Sequence, residues 1–237
     1  MTAVTLGTSG SATLWYGIRA TGVVALVLLT LDTVLGLLVS ARVQSRRWPG
    51  FAQVDLHKRV TVLTLVFLAV HVLGATLDTY VHVGLASIVV PFLSSYQPLW
   101  VGLGTVAVDL LAAVAISSAL RRRIPPDLWR RLHWLAFGCW PFAMIHSLGA
   151  GTDAGELWLM AVAVVCGLAT AAALVFRIHT LRSAVAMATA VGATTRAVPN
   201  HPRPPGPASV GRDRTGAGAP GHSGPGTSTR LLERGSR

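Results

Sequence analysis

Two apolar stretches, each with a histidine toward either end, decide how this chain is expected to fold. Residues 55–78 read DLHKRVTVLTLVFLAVHVLGATLD, and residues 129–150 read WRRLHWLAFGCWPFAMIHSLGA. The four histidines are His57, His71, His133 and His146. On a helix that rises about 1.5 Å per residue, the two histidines of each stretch are roughly 20 Å apart along the axis, and the hydrocarbon core of a bilayer is about 30 Å thick. Each helix can therefore hold one histidine near each face of a membrane.

The composition points to a membrane protein. The chain has 237 residues, of which 52% are hydrophobic and only 12% charged, and its mean hydropathy is +0.57. A soluble domain does not need so much apolar sequence. The net charge of +11 could suggest a nucleic-acid partner, but the basic residues lie in short loops beside apolar helices and in a tail. We therefore expect a lipid bilayer as the surrounding medium and no nucleic acid.

The two histidine stretches also resemble each other. Both open on Leu-His, and both close on His-x-Leu-Gly-Ala, so that Gly74 follows His71 and Gly149 follows His146 at the same distance. A glycine almost one turn after a histidine leaves a gap on the helix surface. The pattern predicts room there for a bulky flat ligand.

The apolar pattern predicts an all-α integral membrane bundle of five transmembrane helices. The predicted helices cover residues 14–41, 56–81, 99–120, 128–148 and 157–178. Residues 83–98 contain two prolines and are too short to span, so an interfacial segment is expected there. The expected organisation is a disordered N-terminus at 1–13, a membrane domain at 14–180 and a disordered basic Pro/Gly-rich tail at 181–237.

The charges predict an orientation for this bundle. The loop between helices 1 and 2, with the start of helix 2, carries five basic residues, and so does the loop between helices 3 and 4. The positive-inside rule places these loops in the cytoplasm. The N-terminus is then outside and the C-terminus inside, and the expected location is the plasma membrane as a multi-pass protein.

In this arrangement helices 2 and 4 run in the same direction. His57 and His133 then share the cytoplasmic level, and His71 and His146 share the outer level. Facing imidazoles on two parallel helices can ligate one haem iron from both sides, so two levels predict two b-type haems. Because bis-imidazole ligation leaves no open position on the iron, the chemistry it favours is electron transfer.

The two spacings are not equivalent on straight helices. At about 100° per residue, the fourteen residues from His57 to His71 return to within about 40° of the same face, whereas the thirteen residues from His133 to His146 end about 140° away. Pro141 lies between the latter two and is expected to kink or rewind the helix.

Charged residues near the two levels suit the propionates of haem. Arg59 and Arg131 flank the cytoplasmic level, and Arg19 is the basic residue available to the outer level. An arginine inside a membrane segment is costly and is usually partnered, although snorkelling to the interface is an equal alternative for Arg19.

Other polar residues of the helices have several interpretations. Asp32 and Asp109 could relay protons or touch a quinone headgroup, but a structural hydrogen bond to a threonine or tryptophan is the simpler reading. His82, at the outer end of helix 2, is the natural substitute if His71 or His146 is not a ligand. Interfacial placement is the default for His82.

The histidine pattern resembles the ferric reductase-like transmembrane domain family. The motifs that carry the resemblance are L-H-x13-H from Leu56 and R-R-L-H-W-x11-H from Arg130, with R-x-T-G at Arg19 as a weaker one. The resemblance implies that the paired histidines are axial ligands of two b-type haems. Members with oxidase or ferric reductase activity carry a flavin and nicotinamide domain. The G-x-G-x-x-G of this chain, at residues 216–221, lies in the Pro/Gly-rich tail and follows no predicted strand, so it does not indicate such a domain. The resemblance therefore implies an electron-transfer subunit that exchanges electrons with a separate flavoprotein or a quinone.

A function of another class remains open. The same histidines could belong to a metal-ion transporting or sensing membrane protein. Transport sites usually lie near one midplane, whereas these histidines form two levels.

Overall fold

The structure is a computed structural model that describes residues 2–41, 49–78, 83–150 and 155–197, and all regular elements in these ranges are helical. We number the α-helices α1 to α6; a short 3₁₀ turn, Leu85–Ile88, precedes α3. The helices are α1 Thr2–Ser40, α2 Gly50–Leu77, α3 Pro98–Ala119, α4 Pro126–His133, α5 Ala136–Gly149 and α6 Leu157–Ala197. Residues 1–193 form one compact unit, to which all contacts described below belong, and residues 194–237 form another.

Among the described residues, four helices are long and apolar enough to cross a membrane. The spans are Thr13–Ser40, Gly50–Leu77, Pro98–Ala119 and Leu157–Ala190. Most of each span is not buried inside the protein, because one face packs on neighbouring helices while large apolar side chains such as Val66 and Val165 point outward. The predictions of an all-helical fold and of a multi-pass membrane protein are confirmed.

The helix predicted at 128–148 differs from the prediction, because it is divided into α4 and α5 by a turn at Trp134 and Leu135. Around this turn the backbone bonds close over three residues instead of four: the Phe137 amide donates to the Trp134 carbonyl (3.1 Å) and the Gly138 amide to the Leu135 carbonyl (2.9 Å). The division therefore lies before Pro141, which is inside α5. Neither α4 nor α5 is long enough to cross a membrane alone. The described residues therefore contain four single-helix spans, and not the five that were predicted.

The tightened turn explains how a thirteen-residue spacing works. A 3₁₀ arrangement turns about 120° per residue, against about 100° in an α-helix. A few residues of it add tens of degrees between His133 and His146, which turns the second histidine back toward the face of the first. Local rewinding was predicted, but its position at Trp134 and Leu135 instead of Pro141 was not.

The two terminal helices are longer than predicted. The first begins at Thr2 instead of residue 14, and the last continues to Ala197 instead of ending at residue 178. The extension of α6 is rich in alanine (SAVAMATAV), which has the highest helix propensity. The predicted tail beyond residue 197 lies outside the described residues.

α1 lies at the centre of the packing. It contacts α2 and α5, while α3 contacts α5 and α4. One buried cluster joins α1, α3 and α5, and a second joins α1, α5 and α6. The first contains Leu29, Ala107, Leu111 and Cys139, and the second contains Leu26, Met144, Ala163 and Cys166. Both cysteines are free and buried.

Candidate functional site

The four histidines come together as two facing pairs. The ring centroids of His57 and His133 are 6.5 Å apart with an interplanar angle of 85°, and those of His71 and His146 are 6.3 Å apart at 75°. Since each histidine of α2 faces the corresponding one of α4 and α5, these segments run in the same direction. α2 and α5 are not among the extensively contacting helix pairs of the described chain, so the rings meet across a gap.

The width of this gap suits a metal ion held from both sides. Two bonds of about 2 Å from a metal to imidazole nitrogens, plus the distance from each nitrogen to its ring centre, add up to about 6 Å. Both pairs have nearly this separation. The histidine residues present therefore fit an iron porphyrin with two axial imidazoles.

Two of the four rings are fixed by hydrogen bonds of their Nδ1 atoms. Nδ1 of His71 lies 2.8 Å from the Ile18 carbonyl oxygen, and Nδ1 of His146 lies 2.7 Å from the Trp100 carbonyl oxygen. A carbonyl oxygen only accepts, so Nδ1 carries the proton in both rings. Their Nε2 atoms are left with a lone pair, which is the arrangement that metal-binding histidines use.

Glycines on α1 and α3 let the rings of His71 and His146 lie close to the backbone. A Cβ atom on Gly22 would be 2.8 Å from Cε1 of His71, and one on Gly104 would be 2.7 Å from Nδ1 of His146. Real Cβ contacts are longer, so a side chain at either position would displace the ring. These glycines thus set the position of the pair.

Gly74 and Gly149 have a different role from the predicted one. A Cβ atom on Gly74 would be 2.8 Å from Cγ1 of Ile18, and one on Gly149 would collide with the ring of Trp100. The gaps are therefore filled by neighbouring helices, not kept for a flat ligand. Ile18 and Trp100 also supply the carbonyl oxygens that bind the two histidines, so each glycine lets the acceptor's helix approach.

The third ring, that of His57, faces a buried carboxylate. Nδ1 of His57 lies 2.9 Å from Oδ1 of Asp32, a short contact whose angles depart from those of a regular hydrogen bond. Oδ1 also lies 2.8 Å from the Thr61 hydroxyl, which confirms the predicted hydrogen bond between Asp32 and a threonine. The side chain of Asp32 is only 12% exposed, so this charge acts with little screening by water.

His133 has different surroundings. Its Nδ1 atom is buried and has no hydrogen-bond partner within the described chain. Its ring stacks on that of Trp129 at 5.0 Å and 24°, and the guanidinium of Arg121 lies 4.7 Å above the same tryptophan ring. Sequence reasoning missed Arg121 and Trp129 as neighbours of this pair, because helical spacing within one element does not show what the end of α3 brings to it.

The three arginines predicted for propionates lie in different settings. Arg19 lines a cavity of about 280 Å³ together with His71 and His146, and its guanidinium lies 4.2 Å above the ring of Trp15. Arg59 is exposed and forms an ion pair of 2.8 Å with Asp55. Arg131 is exposed. The cavity is lined mainly by apolar side chains of α1, α2, α3 and α5, as a site for a largely apolar ring system would be.

Asp109 and His82, the other residues considered from the sequence, are not seen at the histidine pairs, and the same holds for His179 and Trp140. Asp109 is partly buried on α3, and His179 is exposed on α6. His82 lies outside the described residues. Trp140 donates through Nε1 to the Thr30 hydroxyl at 2.9 Å and packs in the core, which gives it a structural partner.

Comparison with known proteins agrees with this site. No curated protein and no solved structure shows significant similarity to the chain. The sequence model of the family described as ferric reductase like transmembrane component matches residues 21–144, a region that includes His57, His71 and His133 and stops just before His146. That family generally binds haem, and its membrane domain indicates electron transfer across the bilayer. Because the match covers more than half of the chain, the protein belongs to the ferric reductase-like transmembrane family.

Proposed function

We propose that this protein carries electrons across the plasma membrane through two stacked b-type haems, one held by His57 and His133 and the other by His71 and His146. The observation that carries the proposal is that the imidazole rings face each other in two pairs. The ring centroids of each pair have nearly the separation, about 6 Å, that two imidazoles need to bind one metal ion between them. Haem b, when bound, supplies a one-electron Fe(III)/Fe(II) couple.

The placement of the pairs favours electron transfer over other haem chemistry. Each histidine pair would hold a haem iron from both sides, which would leave no position on the iron for oxygen or substrate. A single haem near one end of α2 would leave most of the hydrocarbon core, about 30 Å thick, for the electron to cross in one transfer. Two haems at different depths would divide this distance into shorter transfers. The second pair thus has a physical reason to exist.

The proposed topology has five crossings. α4 and α5 together take the place of a fifth span, and the basic residues near the His57–His133 pair put that pair on the cytoplasmic side. The N-terminus is then outside, the C-terminus is inside, and residues 14–180 form the haem domain.

Electron exchange with other molecules requires a partner. A separate flavoprotein or a quinone fits the proposal, because both give or take electrons one at a time. For the propionates we assign Arg19 at the outer pair. At the cytoplasmic pair Arg121 is the best-placed guanidinium through its contact with Trp129, and Arg59 and Arg131 are exposed alternatives at the same level.

The proposal is tested by the haem content of the purified full-length chain. We expect b-type bands in the reduced-minus-oxidised spectrum and two haems per polypeptide. His133→Ala should lower the ratio to one, while His179→Ala, a control on the exposed face of α6, should leave it at two. A protein without b-type bands would contradict the proposal.

The same preparation distinguishes the haem proposal from the alternative function, metal-ion transport or sensing. That function predicts bound zinc or copper and no Soret absorption. Within the described residues no group of three or more His, Cys, Asp or Glu side chains converges as a metal-ion site would, so the geometry favours haem.

A further inference from the structure

The two histidine pairs differ in what binds their second nitrogens. At the His71–His146 pair both Nδ1 atoms face neutral backbone carbonyls. At the His57–His133 pair one ring faces the buried carboxylate of Asp32, and the other has no partner within the described chain. One site therefore carries a formal negative charge beside its ligand and the other does not.

The difference breaks an internal repeat. Ile18 and Gly22 on α1 contact His71, and Trp100 and Gly104 on α3 contact His146, and in both cases the glycine comes four positions after the residue that supplies the carbonyl. Asp32 comes ten residues after Gly22. The residue ten after Gly104 is Val114, which is buried and apolar. At corresponding positions of the repeat, α1 thus has a carboxylate and α3 has a hydrocarbon side chain.

On this basis, and resting on the proposed function, we infer that Asp32 is a positioning residue which, through the His57 imidazole, gives the His57–His133 site a lower reduction potential than the His71–His146 site. A carboxylate 2.9 Å from Nδ1 attracts the proton on that nitrogen and makes Nε2 of the same ring a stronger electron donor. A more basic ligand and a nearby negative charge both favour Fe(III) over Fe(II), because the ferric form carries one more positive charge.

The lower potential assigns a direction to the proposed relay. An electron given up by the His57–His133 site is gained by the His71–His146 site, so one site is oxidised as the other is reduced and no proton needs to move. Transfer in this sense is downhill. A reduced flavin or a quinol on the side of the His57–His133 pair would supply the electron.

Asp32→Asn is the direct test, because the amide keeps the shape and removes the charge. Potentiometric titration of the purified full chain, followed by the absorbance of the reduced haems, should show two one-electron steps. In the variant, the site with the lower potential should prefer Fe(II) about tenfold more strongly. Its reduction potential should therefore rise by about 59 mV, the value for a tenfold change in a one-electron couple. The upper step should not move.

Asp109→Asn provides the matched control. It removes the same charge from another membrane helix, and Asp109 has no described contact with any of the four histidines. Both steps should stay where they are in the unchanged protein. If Asp32→Asn moves the upper step, moves neither step, or has the same effect as Asp109→Asn, the inference is wrong.

A second variant covers the case in which Asp32→Asn fails to fold or loses haem. The Thr61 hydroxyl lies 2.8 Å from both Asp32 Oδ1 and the His57 carbonyl oxygen. Thr61→Val withdraws this donor and leaves the carboxylate more available to His57, so the lower step should fall further. An unchanged or raised lower step would overturn the inference. Absence of haem from the unchanged protein would instead contradict the proposed function, and the two failures are thereby distinguished.

Discussion

At the scale of single residues, the site depends on small groups as much as on the histidines. The rings of His71 and His146 lie against the helix backbone at Gly22 and Gly104 and are held there by two carbonyl oxygens. The core beneath them is fastened by one side-chain hydrogen bond between α5 and α1, from Trp140 to Thr30. These contacts can be tested one at a time.

Gly22→Ala should remove the haem of the His71–His146 pair. The new Cβ atom would be 2.8 Å from Cε1 of His71, so the ring must move away from its partner. We expect the haem content to fall from two to one per chain, measured by the absorbance of the reduced protein. Gly17→Ala is the control on the same helix, because nothing lies within 4 Å of its Cβ position. Retention of two haems in Gly22→Ala would contradict the assigned role of the glycine.

Thr30→Val should destabilise the protein without changing its haem ligands. The indole N–H of Trp140 would lose its acceptor in a buried setting, which costs about 1–3 kcal/mol. Thermal unfolding in detergent should show a lower midpoint than for Thr33→Val, whose hydroxyl bonds only the Leu29 carbonyl of its own helix. Equal midpoints for the two variants would show that the bond to Trp140 contributes nothing measurable.

The histidine levels could be predicted from the sequence, but their partners could not. Spacing along one helix places His57 and His71 at two depths, because the rise per residue is fixed. The acceptors Asp32, Ile18 and Trp100 belong to other helices, and their meeting with the rings depends on how those helices pack. No pattern within one element carries that information, so Asp32 stayed among several interpretations.

At the scale of elements, the division between α4 and α5 is the main departure from the predicted helices. The apolar pattern runs without interruption through residues 128–148, and Pro141 was the only evident breaker. The rewinding occurs instead at Trp134 and Leu135. The tightened turn is required by the two facing pairs, because His133 and His146, thirteen residues apart, must both face α2. Rules that use only the sequence of one helix cannot predict the turn, because it depends on contacts with another helix.

Changing the length of this turn tests the explanation. Inserting one alanine after Leu135 restores a fourteen-residue spacing, which returns within about 40° of the same face without tightening. We expect such a variant to keep two haems per chain. Deleting Leu135 leaves twelve residues, about 120° from the starting face, and should reduce the content to one. Loss of haem in the insertion variant, or its full retention in the deletion variant, would contradict this account.

At the scale of the whole molecule, the fold consists of two similar helix sets that face each other. α1 with α2 resembles α3 with α4 and α5, since in each set the first helix supplies the carbonyl oxygen and the glycine that contact a histidine of the second, His71 or His146. The sequence predicted the likeness of the histidine-bearing helices from their shared Leu-His and His-x-Leu-Gly-Ala motifs. The likeness of α1 and α3 rests on backbone contacts and was visible only in the structure.

The orientation of the molecule is the remaining prediction at this scale. Near the His57–His133 pair lie Lys58, Arg59, Arg121, Arg122, Arg123, Arg130 and Arg131, and near the other pair lie Asp78 and Glu156. By the positive-inside rule the first group faces the cytoplasm. An epitope tag inserted at Gly155 should therefore be detected by antibody on intact cells, and one inserted at Arg123 only after permeabilisation. Permeabilised cells, in which both tags are detected, control for expression. The reverse pattern would place the His57–His133 pair outside, and the inferred downhill direction of electron transfer would then run toward the cytoplasm.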